Sequence, residues 1–134
     1  MYLRLIILLL VTSISTISAE EKKVCKRSFE EFHKSHPEAS VLHDDIEPPV
    51  LLFKKELQFP ESLKKKKIEL STIAVETVVS DTGSIKDACI VISKIPELDL
   101  LVIDTVKQWK YKPALKDGQS IPVFVTITIR IDIR

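Results

Sequence analysis

The strongest pattern in the chain lies at its C-terminus, where apolar and polar residues alternate without a break from Val123 onward. A period of two is typical of a β-strand with one buried and one solvated face. One face carries Val123, Val125, Ile127, Ile129, Ile131 and Ile133, and the other carries Phe124, Thr126, Thr128, Arg130, Asp132 and Arg134. If this strand lies at a sheet edge, its unpaired backbone groups form a template for another extended peptide.

A second region of alternation, residues 70–93, predicts a β-hairpin. Its turn falls at residues 80–84, where Gly83 supplies a permissive backbone. One face of the first strand carries Ile73, Val75, Thr77 and Val79. In the second strand we expect Ala88, Ile90 and Ile92 on one face and Asp87, Cys89 and Val91 on the other.

Two segments that begin with proline predict helices on either side of this hairpin. The first begins at Pro60 and makes its apolar contact through Leu63 and Ile68. The second covers residues 96–110 and has the helical apolar stripe Leu98, Leu101, Val102, Thr105, Val106 and Trp109. The order helix, strand, strand, helix, strand predicts an α+β fold with a three-stranded antiparallel sheet. We expect the sheet order 2-1-3, both helices on one face, and the C-terminal strand at an edge.

The N-terminal part of the chain divides into two segments of different character. Residues 1–19 combine a charge at Arg4, an apolar centre and the small residue Ala19, the layout of a secretory signal peptide, with an uncleaved anchor as the alternative. Residues 20–47 are predicted to be a spacer that contains a short amphipathic helix at about residues 24–36. The stripe of this helix is Cys25, Phe29 and Phe32.

Charge and cysteine content limit the classes of partner. The net charge is +1, and removal of residues 1–19 with Arg4 leaves 0, so we expect neither nucleic acid nor an anionic membrane as partner. Two cysteines in an exported chain favour a disulfide between Cys25 and Cys89, with two free thiols as the alternative.

The sequence offers little that would support catalysis. His33, His36 and His43 all fall in the N-terminal segment, and no Cys/His or Ser/His arrangement can be argued. The histidines with Asp44 and Asp45 form at best a weak metal site, and solvated side chains are the better interpretation. We therefore expect a protein that is not an enzyme, with no cofactor and no small-molecule substrate.

From residue 48 to the end, the chain resembles the C-terminal domain of TonB, the periplasmic energy transducer. The resemblance rests on an ordered set of short motifs: Pro48-Pro49, Phe59-Pro60, the basic run 64–67, the D-x-G turn 81–83, Leu98-Asp99, the W-K-Y-K-P block 109–113, the Asp117-Gly118 turn and the terminal strand. It implies a domain over residues 48–134 that lies in the periplasm, or is anchored in the inner membrane and faces the periplasm.

The same resemblance implies a role in protein contact. In TonB the last strand of this domain receives a peptide of an outer-membrane receptor by strand addition, which would assist TonB-dependent transport. The implied partner-binding residues are Gln58, Val123, Phe124, Val125, Thr126, Ile127, Thr128, Ile129, Arg130 and Ile131. Peptide preference would come from the side chains of Phe124, Thr126, Thr128 and Arg130.

An alternative function would use the sheet face opposite the two helices as the contact surface. This face would carry Ala74, Val78, Cys89, Val91 and Phe124, which is more apolar than solvent requires. We expect the N-terminal helix to cover it, with Cys25 bonded to Cys89. Without that cover, the face predicts a homodimer or an envelope adaptor protein that binds partners through it.

Overall fold

The structure is a computed structural model that describes residues 24–134, so the predicted signal peptide or anchor at residues 1–19 lies outside the described residues. Its helices are α1 (Phe29–Lys34), α2 (Glu61–Lys64) and α3 (Asp99–Val106), with a 3₁₀ turn at Pro96–Leu98 before α3. Its strands are β1 (Ile46–Glu47), β2 (Val50–Phe53), β3 (Ile68–Val79), β4 (Ile85–Ser93), β5 (Lys110–Lys112), β6 (Ala114–Lys116), β7 (Gln119–Ile121) and β8 (Val123–Ile133). The predicted α+β class is confirmed.

The main sheet consists of β4, β3 and β8, in that order and with antiparallel neighbours. The 12-residue strand β3 lies at the centre, and every residue from Ile73 to Val79 is buried. A strand that is buried on both faces requires a cover on each side. Here α3 covers one face, which we call the front, and α1 covers the other, which we call the rear.

The front face holds the larger core, in which apolar residues of the sheet pack against α3. The 3₁₀ turn and α3 place Leu98, Val102 and Val106 in this core, as the predicted stripe requires, and Leu63 of α2 packs against it. This helix is shorter in the structure than the predicted range 96–110, since α3 ends at Val106. Trp109 lies three residues after the end of the helix and is nevertheless buried.

The rear face is covered by residues 24–40, which we call the strap. Its helix α1 begins with a capping box, in which the Ser28 hydroxyl accepts from the Glu31 backbone N–H and the Glu31 carboxylate accepts from the Ser28 N–H. The hydrogen bond from the Ser28 N–H to this carboxylate, together with one from the Ser28 hydroxyl, lowers the pKa of Glu31. The helix is shorter than predicted because Lys26 lies in an extended segment that forms a parallel bridge to Ile90 of β4.

Phe32 is the main apolar anchor of the strap. It is completely buried and packs with Val78, Cys89 and Phe124 of the rear face. The structure also contains the predicted disulfide between Cys25 and Cys89, with the two Cα atoms 4.9 Å apart. The N-terminal segment is therefore attached to the rear face by both packing and a covalent bond.

One predicted orientation in the hairpin is wrong. Ile92 was expected on the same face as Ala88 and Ile90, but it is 53% exposed. The ladder to β3 shifts between Ala74, which pairs with Ile92, and Val75, which pairs with Ile90. The extra residue between the two pairs is a β-bulge, which turns the next side chain to the other face.

Five short strands form two small ribbons beside the main sheet. Strand β6 pairs with β1 and β7, and β2 pairs with β5. Strand β2 exposes all four of its side chains, Val50, Leu51, Leu52 and Phe53.

Within residues 24–134, no helix is long and apolar enough to cross a membrane.

Candidate functional site

The C-terminal strand β8 has β3 as its only strand partner among the described residues, so its opposite side is an edge of the sheet. The backbone N–H of Phe124 points away from β3, because it donates to a residue outside the sheet. In an antiparallel strand, the backbone N–H and C=O groups of successive residues point alternately toward the partner strand and away from it. The N–H and C=O groups of Thr126, Thr128 and Arg130 therefore also point away from β3. Within residues 24–134, no other segment donates to or accepts from these outward groups.

The predicted partner-binding side chains of β8 fall into three groups by burial. Val123, Phe124, Ile127 and Ile131 are buried, Val125 and Ile129 are half-buried, and Thr126, Thr128 and Arg130 are exposed. Phe124 was expected to set peptide preference, but it is only 8% exposed because it lies beneath the strap against Phe32. Its side chain therefore belongs to the rear core.

The first part of the edge is occupied by the end of the strap. The Ser40 backbone N–H donates to the Pro122 carbonyl oxygen at 3.0 Å, and the Phe124 N–H donates to the Ser40 carbonyl oxygen at 3.0 Å. Ser40 thus forms a one-residue parallel bridge beside Val123. The open part of the edge begins after this bridge.

A groove runs beside the open part of the edge. Its cavity has a volume of about 560 Å³ and is lined by Lys54, Lys55, Glu56, Leu57, Phe59, Trp109, Thr128, Ile129 and Arg130. The wall formed by residues 54–59 is held in place by Trp109, whose indole N–H donates to the Lys55 carbonyl oxygen at 3.0 Å. Gln58, the remaining predicted contact residue, is exposed between two residues that line the groove.

The groove has a basic character that the net charge of the chain conceals. Lys54, Lys55 and Arg130 line it with one carboxylate, Glu56. The Lys54 ammonium lies 5.7 Å from the centre of the Trp109 ring, a cation–π contact at the groove wall. Because positive side chains outnumber negative ones, the groove favours acidic groups in whatever occupies it.

A buried carboxylate that the sequence did not single out links the edge to the strap. Glu76 of β3 is 2% exposed and accepts a hydrogen bond from the Thr126 hydroxyl at 3.1 Å. The Nε2 atom of His33 lies 3.6 Å from the Glu76 carboxylate, and the His33 ring stacks on Phe124 with 3.8 Å between ring centres. The sequence feature that could have revealed this buried carboxylate is a charged residue in the middle of an otherwise apolar strand.

The end of the strap is held by a second polar cluster. His36 contacts Asp87 through Nε2 at 2.8 Å and Glu38 through Nδ1 at 3.1 Å, while Lys86 donates to Glu38 at 2.7 Å. The hydrogen bond from Lys86 is the largest cause that lowers the pKa of Glu38 to about 2. Both histidines thus face carboxylates of the sheet, and residues 24–134 contain no group of three side chains arranged to hold a metal ion.

Comparisons with known proteins identify the family to which the chain belongs. The family model described as Gram-negative bacterial TonB protein C-terminal matches residues 55–133, more than half of the chain. The solution NMR structure of the Pseudomonas aeruginosa TonB C-terminal domain is 16% identical in sequence, with a TM-score of 0.49. The match covers 71% of this chain and 96% of that one. A search of curated proteins finds no match. The chain belongs to the family of TonB C-terminal domains.

Proposed function

We propose that this protein binds an extended peptide of an outer-membrane transporter, or of another envelope protein, by strand addition to β8. TonB C-terminal domains in general interact with outer-membrane transporters. The observation that carries the proposal is the run of outward backbone groups at Thr126, Thr128 and Arg130, which have no hydrogen-bonding partner within residues 24–134. An added strand would satisfy these groups, which supplies affinity independently of the peptide side chains.

The surroundings of the edge indicate the chemistry of the peptide. Alternate side chains of an added strand point to the two faces of the sheet. Those on the front side would enter the groove near Lys55 and Trp109, and those on the rear side would lie near Arg130. We therefore propose a peptide with at least one acidic residue close to apolar or β-branched residues.

The proposed role is one of contact rather than catalysis, in the periplasm. TonB C-terminal domains are periplasmic, and residues 1–19 carry the sequence features of a signal peptide or anchor. We also propose that residues 1–19 act as a signal peptide or anchor, and that the protein takes part in TonB-dependent transport.

The adaptor alternative required an open apolar rear face. In the structure that face is covered by the strap, with Phe32 completely buried against Val78 and Phe124. The side chains of the rear core, Phe32, Val78, Cys89 and Phe124, are all buried, so they are not available to a partner or a second copy in this arrangement. The edge of β8 is therefore the better supported contact surface.

The test is a titration of the purified protein with a synthetic peptide that copies the TonB box of an outer-membrane transporter. The decisive variant is Thr128→Pro, which removes an outward N–H but leaves the inward bonds to β3 in place. The matched control is Thr128→Ala, which keeps the N–H. Since a hydrogen bond contributes about 1 kcal/mol, we expect the proline variant to bind about 5-fold or more weakly.

Each outcome of this titration decides the proposal. Binding by the wild type and the alanine variant, with a loss in a folded proline variant, supports strand addition. Circular dichroism and backbone NMR spectra establish that the proline variant is folded. Equal binding by both variants, or no binding by the wild type, would reject strand addition of this peptide at β8.

A further inference from the structure

The strap crosses the rear face from one edge of the main sheet to the other. At the outer edge of β4, the Ile90 N–H donates to the Cys25 carbonyl oxygen at 2.9 Å, and the Arg27 N–H donates to the Ile90 carbonyl oxygen at 3.2 Å. At the edge of β8, Ser40 makes the corresponding pair of bonds to Pro122 and Phe124. Both ends of the strap therefore use the hydrogen-bonding pattern of an added strand.

We propose that Ser40 is a register stop for the incoming peptide. It occupies the outward carbonyl of Pro122 and the outward N–H of Phe124, which are the first groups that an added strand would otherwise use. The partner strand is thereby confined to the edge beyond Phe124, beginning at Thr126. This inference rests on the proposed function, and it assigns to the strap a positioning role in peptide binding.

A register stop is needed because the edge itself carries little register information. Thr126 and Thr128 are identical outward residues on a regular ladder, so a slip of two residues would preserve every backbone hydrogen bond. Such a slip would move each peptide side chain by two positions relative to the basic groove. A fixed obstacle at Ser40 excludes the slips that would carry the peptide past Phe124.

The strap is held firmly enough to act as an obstacle. The disulfide fixes its first part, and the Lys26 ammonium lies 3.0 Å from the buried Asp99 carboxylate. Close to Ser40, Glu38 accepts from Lys86 and contacts His36. Because the strap is attached to the same molecule, its effective concentration at the edge is high, and a free peptide competes poorly for Pro122 and Phe124.

The stop also limits the length of the bound segment. From Thr126 to Ile133 the open edge spans eight residues of β8, or about 27 Å of extended chain. The groove adjoins the same part of the strand, since Thr128, Ile129 and Arg130 line it. The structure thus fits a partner in which at most about eight consecutive extended residues pair with β8.

The experiment is amide hydrogen exchange of the full chain, measured by NMR with and without the TonB-box peptide. In the free protein, we expect protected amides at Ser40 and Phe124 and rapid exchange at Thr126, Thr128 and Arg130. With saturating peptide, the last three should become at least 10-fold slower, while Ser40 and Phe124 keep their protection. A peptide that displaced the strap would instead speed exchange at Ser40.

Two substitutions at the stop sharpen the test. Ser40→Ala keeps both backbone groups and should behave as the wild type. Ser40→Pro removes the N–H that donates to Pro122, so the Phe124 amide should exchange faster in the free protein and gain protection from bound peptide. That new protection would show that the register has been released, which a purely structural role of Ser40 does not produce.

The possible results separate the two proposals. No slowing at Thr126, Thr128 and Arg130 would reject strand addition itself, and the register stop with it. Slowing there together with loss of protection at Ser40 would reject the register stop alone. A free wild type in which Phe124 exchanges as fast as Thr126, or a Ser40→Pro variant with the wild-type protection pattern, would also reject it.

Discussion

At the scale of single residues, Gly83 shows how a turn positions a distant segment. It has φ of +85°, and its carbonyl oxygen accepts a hydrogen bond from the Tyr111 N–H at 2.8 Å. A Cβ atom at this position would overlap the Tyr111 carbonyl oxygen. The turn therefore brings the hairpin into direct backbone contact with β5, and a glycine is required for both reasons.

We predict that Gly83→Ala destabilises the protein more than Gly118→Ala. Gly118 also has a positive φ, of +76°, but a Cβ atom there would meet nothing within 4 Å. The Gly118 variant should lose about 1 kcal/mol through backbone strain alone, and the Gly83 variant should lose more because β5 must also move. Urea denaturation measures both losses, and equal losses would contradict the role of the Tyr111 contact.

The pH dependence of stability should show the contribution of Glu38. Its pKa is lowered from an ordinary value of 4.5 to about 2, mainly by the hydrogen bond from Lys86. A carboxyl group with a lowered pKa stabilises the folded state above the unfolded pKa, and this contribution disappears as pH falls through the folded pKa. The strap should therefore lose stability between about pH 4.5 and pH 2.

The matched comparison is Glu38→Gln, which keeps the shape of the side chain and removes its titration. Its free energy of unfolding should decrease less than that of the wild type between about pH 4.5 and pH 2, although both proteins share the titration of Glu31. Urea denaturation at several pH values measures the difference. Parallel pH profiles for the two proteins would show that the Glu38 contact does not stabilise the folded state.

At the scale of elements, the long periodic segments were predictable and the short ones were not. Strand β8 and the hairpin follow from alternation, because their apolar faces repeat over many residues. Strands such as β1, with two residues, and β5, with three, are too short to carry a period. They exist because their neighbours supply hydrogen-bonding partners, which is tertiary information.

The candidate site shows the same limit on what a sequence pattern can predict. The position of β8 as the strand that presents an edge could be argued from element order, but the bridge at Ser40 rests on a single residue with no pattern around it. The burial of Phe124 likewise depends on where Phe32 docks. Ile92 was placed on the wrong face because a one-residue bulge shifts the alternation without a mark in the sequence.

The strap as an element should derive much of its stability from the disulfide. Cys25 and Cys89 are 64 residues apart, so the bond closes a long loop in the unfolded chain. The chain-entropy relation gives a stabilisation of about 4 kcal/mol for a loop of this length. We predict a loss of this order for the variant with both Cys25→Ala and Cys89→Ala, measured by urea denaturation.

The reduced wild type is the matched control for this variant, because it keeps both sulfur atoms at their positions. It should lose a similar amount of stability, which would separate loop closure from the packing of the Cys89 side chain in the rear core. A loss below about 1 kcal/mol in both proteins would mean that the unfolded chain is already compact around this pair.

At the scale of the whole molecule, the strap covers one point on each edge of the main sheet. The strap bridges β4 at Ile90 and β8 at Val123, and between these points it covers the rear core. Exposed sheet edges beside apolar surface are sites of unwanted pairing between chains. If β8 binds a peptide as proposed, the strap combines protection of the molecule with the selection of one stretch of edge for a partner.

The last prediction tests this protective role through the oligomeric state. Phe32→Asp places a charge in the rear core beside Val78 and Phe124, so the strap helix should leave the sheet. The uncovered apolar face and the released start of the β8 edge should then associate with a second copy. We expect concentration-dependent dimers at tens of micromolar in sedimentation velocity, a range that corresponds to about 6 kcal/mol of association free energy. The matched control is Phe29→Asp on the same helix, where the side chain is 41% exposed and the variant should sediment as the wild type. A Phe32→Asp protein that keeps its β-sheet spectrum, exposes its strap to exchange and still sediments as a monomer would show that the rear face does not need its cover.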